Sequence, residues 1–194
     1  MDEGLHYFSD LATKYKIKCA VIHYYSSSSL PPIKKEAILF FDEFGKKELI
    51  KIKSNTGNFI QEQIIIKSGH IQYMMLDTTQ VIKTNRKTKF SLDNIDVSLL
   101  NEATRIKYGI QLVGETDYLG QKCSRYVVDY KSQILTGEIV EWNNILLKII
   151  LKKDGNIIEE TKAYKLEVKP QLSSSIFAVP ERIEILDMTE LDNN

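Results

Sequence analysis

Two hydrophobic periods alternate along this chain. Over residues 2–16 the apolar positions Leu5, Phe8, Leu11, Ala12 and Tyr15 recur every three or four residues, which predicts an amphipathic helix. The period then drops to two. Cys19 to Tyr25 reads as a strand with Ala20, Ile22 and Tyr24 on one face and Val21, His23 and Tyr25 on the other. Both faces are largely apolar, so each needs cover. Ser26 to Pro32 reads as a loop, because proline cannot donate to a ladder.

A meander follows. Ala37 to Phe41, Glu48 to Lys53, Phe59 to Lys67, His70 to Leu76 and Thr79 to Thr84 read as strands separated by short polar turns. In the second of these, Ile50 and Ile52 alternate with Lys51 and Lys53, the pattern of a half-buried strand. Helical spacing returns over 94–108, where Ile95, Leu99, Ala103 and Ile106 line up. Asp93 or Asn94 can cap its start and Gly109 can end it.

Strands resume at Ile110 to Thr116, Lys122 to Tyr130, Thr136 to Trp142 and Ile145 to Lys152. Asp154-Gly155 is a hairpin signal and Ile157 to Lys169 the return strand. A loop over 170–175 leads into Ile176 to Pro180, and 188–194 reads as a frayed tail. The expected fold class is α+β, mainly antiparallel, in one domain spanning 1–194. For 194 residues a single domain of this kind is ordinary.

Composition narrows the partners. Lys plus Arg and Asp plus Glu both number 26, so the basic excess typical of nucleic-acid binders is missing and no nucleic acid is expected. No apolar run approaches the ~20 residues of a membrane-spanning helix. Met1-Asp2-Glu3-Gly4 is acidic, with no apolar stretch after it, which fits either a cytoplasmic protein or a mature domain whose signal peptide has been removed. Cys19 and Cys123 fit either two half-buried thiols or a disulfide, which would need an oxidising compartment.

Catalytic signatures are scarce. His6, His23 and His70 stand in no nucleophile or metal motif, and the 9 glycines form no phosphate loop. Glu115, Asp117, Glu138 and Glu141 are acids without a diagnostic spacing. No catalytic residue, metal or cofactor is therefore expected. The aromatic and methionine surplus on strands fits either a packed core or a lined apolar cavity.

Several strings resemble the bacterial lipoprotein-carrier superfamily (LolA-like and LppX-like), including secreted relatives from Bacteroidetes. They are Phe40-Phe41-Asp42-Glu43-Phe44-Gly45, Gly114-Glu115-Thr116-Asp117-Tyr118-Leu119-Gly120-Gln121-Lys122-Cys123, Glu141-Trp142 ahead of Ile145-Leu146-Leu147-Lys148, and Ser175-Ile176-Phe177-Ala178-Val179-Pro180. The resemblance implies a curved, open half-barrel sheet with the two helices covering its concave face. It also implies a monomer in the periplasm or cell envelope that carries a lipid or lipoprotein acyl chain without catalysis. The expected lining is Ile22, Tyr24, Phe40, Ile64, Ile66, Tyr73, Met75, Leu99, Ile106, Tyr126, Val128 and Trp142. The alternative is a structural or protein-interaction module whose core is filled by its own side chains.

Overall fold

The computed structural model describes residues 14–29, 31–57, 59–75, 79–85, 100–131, 134–169, 171–181 and 183–190. Its frame is one open, curved sheet of twelve strands. In chain order these are β1 (Ala20–Ser29), β2 (Pro32–Asp42), β3 (Lys47–Asn55), β4 (Ile60–Ser68), β5 (Ile71–Met75), β6 (Gln80–Asn85), β7 (Ile110–Tyr118), β8 (Gln121–Tyr130), β9 (Leu135–Trp142), β10 (Ile145–Lys153), β11 (Asn156–Val168) and β12 (Glu184–Asp187). Their order across the sheet is β12-β6-β5-β4-β3-β2-β1-β11-β10-β9-β8-β7. Every neighbouring pair is antiparallel except β12 with β6. The long connection sits in the middle, where β1 pairs with β11 and joins a β1–β6 half to a β7–β11 half.

The predicted meander holds, and β1, β2 and β3 run longer than expected. Ser26 to Ser29 continue β1 and Pro32 opens β2, so the predicted loop shrinks to the tip between them. Proline is tolerated there because the first residue of a strand need not donate. β12 lies in a stretch that showed no pattern: four residues are too few to reveal a period. The tail is also more ordered than expected up to Glu190, since Met188 N–H donates to the Lys83 carbonyl (2.8 Å) and Asn85 Nδ2 to the Thr189 carbonyl (2.8 Å). Residues 191–194 lie outside the described residues.

The helices need correcting. Most of the helix predicted over 2–16 lies outside the described residues, and Lys14, Tyr15 and Lys16 are not helical. Of the helix predicted over 94–108, residues 94–99 are likewise outside, and the described helix is only α1 (Glu102–Tyr108). Asn101, rather than Asp93 or Asn94, caps it, with its side chain accepting from Thr104 N–H at 2.8 Å. Gly109 ends it at φ 61°. No residue of α1 is fully buried; it lies against β7 and β8, where Tyr108 packs on Tyr130 with ring centroids 5.4 Å apart.

Three clusters form the core. The central one joins Ala20, Ile22, Leu39 and Phe41 from β1 and β2 to Cys123, Val140, Ile145, Leu147 and Ala163 from the other half. A second, of Ile110, Val128, Leu135, Ile139, Ile149 and Leu151, lies wholly within β7–β11. The third sets Leu49 and Ile66 against Phe177 in the 3-10 turn Ser174–Phe177. Here the C-terminal segment covers one face of β2–β5. Of the two open readings for the cysteines, the structure has free thiols, both buried, and burial raises the pKa of each.

Candidate binding surfaces

In a strand the side chains alternate between faces, and residues opposite each other in register share one. The predicted lining residues are sorted by this rule. Ile22, Tyr24 and Trp142 join the central cluster, and Tyr126 and Val128 the second. Phe40, Ile64, Ile66 and Tyr73 lie on the opposite face from Ile22, under the C-terminal segment. Met75 pairs with Ile64 and so shares that face. Ile106 is 75% exposed on α1, and Leu99 lies outside the described residues. The set is therefore split between both faces of the sheet and does not line one cavity. The run Ala37 to Phe41 shows why. It is apolar at every position, so its pattern cannot say which residues face which way.

Register reveals a different feature. Ile22 lies opposite Leu39, Leu39 opposite Ile50, Ile50 opposite Ile65, Ile65 opposite Met74, Met74 opposite Ile82, and Ile82 opposite Leu186. On the other side Ile22 pairs with Leu166 of β11. One apolar row thus crosses eight strands on a single face. Its depth is graded: Ile22 is 0% exposed, Leu39 9%, the next four half-buried, and Leu186 41%. Among the described residues, Ile65, Met74 and Ile82 join none of the three clusters. From Ile50 to Leu186 the row runs on the order of 19 Å at ~4.8 Å per strand.

Polar rows flank it. Glu48, Lys67, Gln72 and Thr84 are in register on one side, and Gln63, Gln80 and Glu184 lie on the other, beyond Ile52. The apolar track is thus bordered by polar side chains on both sides at β4 and β6, and widens at β3, where Ile52 stands beside Ile50. Gln63 Nε2 donates to Met74 Sδ at 2.8 Å, which orients the thioether. The sequence contained each of these residues, but only the pairing of hairpins aligns them.

One end of the flanking row is locked. Glu48 is fully buried, and its Oε1 accepts from Tyr15 OH (2.7 Å) and Lys14 Nζ (2.9 Å), with Lys67 Nζ 3.7 Å from Oε2. A buried carboxylate survives only with such partners. The segment carrying Lys14 and Tyr15 is clamped between two turns: Tyr15 N–H donates to the Phe44 carbonyl (3.1 Å), Lys16 N–H to the Asn143 carbonyl (3.0 Å), and the Lys18 carbonyl accepts from Phe44 N–H (2.9 Å). Gly45, at φ +88°, permits this approach, since a Cβ there would sit 2.8 Å from Cδ2 of Tyr15. The string Phe40 to Gly45 therefore builds an anchor for the start of the described chain.

The candidate acids do not converge. Glu115 and Asp117 are exposed on the edge strand β7. Glu138 is held by Arg125 Nε (2.7 Å) and Lys148 Nζ (2.8 Å). Glu141 is buried and accepts from Asn144 N–H and from Tyr126 OH (3.4 Å). His23 rests against Tyr164, ring centroids 5.8 Å apart, His70 is exposed at a turn, and His6 lies outside the described residues. Among the described residues no group of three or more His, Cys, Asp or Glu could hold a metal ion. No helix among them is long and apolar enough to cross a membrane.

Comparison with known proteins gives a fold class and no family. No family model and no curated protein matches the chain. Among solved structures, an uncharacterised conserved protein from Thermus thermophilus is similar over 88% of this chain and 90% of its own, at 8% identity and TM-score 0.56. MucB is similar over 91% of this chain and 62% of its own, at 12% identity and TM-score 0.56. Pseudomonas aeruginosa MucB in complex with MucA gives 12% identity and TM-score 0.55 over 88% of this chain and 59% of its own. The chain thus spans about three fifths of the MucB chains it matches. At such identities the likeness is one of fold. A LolA superfamily protein from Nitrosomonas europaea also matches, at 9% identity and TM-score 0.40, a likeness too distant to carry an inference.

Proposed function

We propose that this domain binds a single apolar chain, a lipid or the acyl chain of a lipoprotein, along the row from Ile50 to Leu186, without catalysis and in the cell envelope. The observation that carries this reading is the row itself. It is apolar at every strand, narrow, and bordered on both sides by polar side chains at Ile65 and Ile82. That shape suits one extended hydrocarbon chain better than a broad protein surface. Each methylene buried contributes about 0.8 kcal/mol, so affinity would grow with chain length. The Met74 thioether in the middle of the track adapts to a flexible ligand. The sequence resemblance to lipoprotein carriers points the same way.

Delipidated protein should take up a fluorescent fatty acid saturably. Met74→Lys, which sets a charge in the middle of the row, should weaken that uptake by about tenfold, equivalent to about 1.4 kcal/mol. Met75→Lys, one residue along and on the other face, is the matched control. Absence of saturable uptake, or equal losses in the two variants, would sink the proposal.

A second reading is a protein-interaction module. It draws on β7, a strand at the sheet edge with Leu112 55% and Val113 48% exposed. An open edge can accept an added strand. MucB, of similar fold, was solved in complex with MucA.

A further inference from the structure

On the face opposite the apolar row, β8, β9 and β10 form a groove of about 510 Å³. Two irregularities flank it. β10 is bulged against β9 between Leu146 and Lys148, with Leu147 the extra residue, and β11 is bulged against β10 opposite Leu151 and Lys152, with Ile158 the extra residue. Bulges bend a strand and re-aim its side chains. Between these bulges Lys148, Ile150 and Lys152 alternate regularly onto the groove face, so the two lysines stand ~13 Å apart along the strand with Ile150 between them. Across the sheet, Ile150 lies opposite Glu138, Glu138 opposite Val127, and Lys152 opposite Thr136. At Gly137 the strands come so close that a Cβ would lie 2.2 Å from the Ile150 carbonyl oxygen, so no side chain can stand there.

The charges do not cancel. Arg125, Lys148 and Lys152 line the groove with Glu138 as the one carboxylate. Hydrogen bonds from Lys148 and then Arg125 hold the Glu138 carboxyl below its usual range, so it is ionised and serves both cations at once. Arg125 reaches it through Nε, which leaves the paired terminal nitrogens of its guanidinium as donors; such a fork suits phosphate oxygens. Among the described residues Lys152 enters none of the ion pairs. A positive excess over a concave apolar floor of Val127 and Ile150 concentrates anions.

We infer that this groove binds a phosphate-bearing group, with Arg125 and Lys152 supplying charge, the Thr136 hydroxyl a further donor, and Val127 and Ile150 packing against the carbon skeleton next to the phosphate. The site is independent of the apolar row, because the two lie on opposite faces of the sheet. A soluble phosphate ester and a phospholipid headgroup present the same chemistry.

The test titrates the protein with glycerol 3-phosphate and, separately, with phosphatidylglycerol vesicles. Binding to either probe should be weakened about tenfold by Arg125→Gln and by Lys152→Gln. It should be unchanged in Lys53→Gln, a comparably exposed lysine on β3. Glu138→Gln should tighten binding, because it removes the internal anion that competes for Arg125 and Lys148. Binding to the ester identifies a small-molecule site, and binding to vesicles alone identifies a headgroup site; either supports the inference. No saturable binding to either probe, or equal losses in Lys53→Gln and Lys152→Gln, overturns it.

Discussion

The two halves of the sheet solve the same problem differently. In β10 burial alternates cleanly: Ile145, Leu147, Ile149 and Leu151 are buried, while Leu146, Lys148 and Ile150 are not. One face of that half is packed and the other carries Lys148, Glu138 and Arg125. In β4 the run Ile64-Ile65-Ile66 is apolar on both faces. Ile64 and Ile66 are covered by the segment around Phe177, and Ile65 belongs to the row that opens toward β12. A half that is apolar on both faces must find two covers. That need is what makes the β1–β6 half the candidate carrier of an apolar ligand.

The largest effects should come from the core that joins the halves. Phe41→Ala removes a ring that is fully buried and packed at a tilt against Tyr15, ring centroids 4.1 Å apart, and should cost about 4 kcal/mol. Ile149→Ala, in the cluster confined to β7–β11, should cost about 3 kcal/mol. Denaturant unfolding followed by Trp142 fluorescence and by far-UV circular dichroism should give coincident transitions in both variants. Two separated transitions would break the picture of one cooperative sheet and make the halves independent units.

A smaller loss is expected at the anchor. Glu48→Gln leaves Lys14 and Lys67 facing a neutral amide and should destabilise by about 2–3 kcal/mol. Amide exchange should quicken at Tyr15 and Lys16, whose N–H groups hold the segment to the turns at Phe44 and Asn143. Unchanged exchange there would mean that Glu48 stabilises the sheet alone.

The smallest effect is local and depends on pH. At the outer edge Lys83 Nζ lies 2.6 Å from the Asp187 carboxylate. Bonds from Lys83 and then Thr189 lower the Asp187 pKa to about 2. A depressed carboxyl stabilises the folded edge above its unfolded value of about 3.9, and the benefit disappears as pH falls toward 2. Acidification through that window should loosen β12 from β6 before the rest of the sheet. Exchange at Met188, whose N–H binds the Lys83 carbonyl, would report it. Simultaneous loss of protection at Met188 and in β1 would contradict a separately held edge.

Much of this was legible from residue order. Asp154-Gly155 marked its hairpin, and the period of two marked the strands. Alternation in β3 named Ile50 and Ile52 as facing together. What residue order could not supply was cover and register. Ile106 fits a helical stripe yet lies exposed, because α1 is short and sits beside β7 and β8. Phe40 and Ile22 looked alike as apolar strand residues, yet they face opposite sides.

The sequence by itself determined the elements: local period and turn chemistry suffice for an antiparallel domain, and 26 basic with 26 acidic residues give it a balanced charge. Tertiary structure alone decided the surfaces. The apolar row draws one residue from each of eight strands, and the charged groove gathers Arg125, Glu138, Lys148 and Lys152 from three. No local signal encodes either, because each depends on which residue stands opposite which. A shift of one position in a single pairing would carry Ile65 to the far face and break the row.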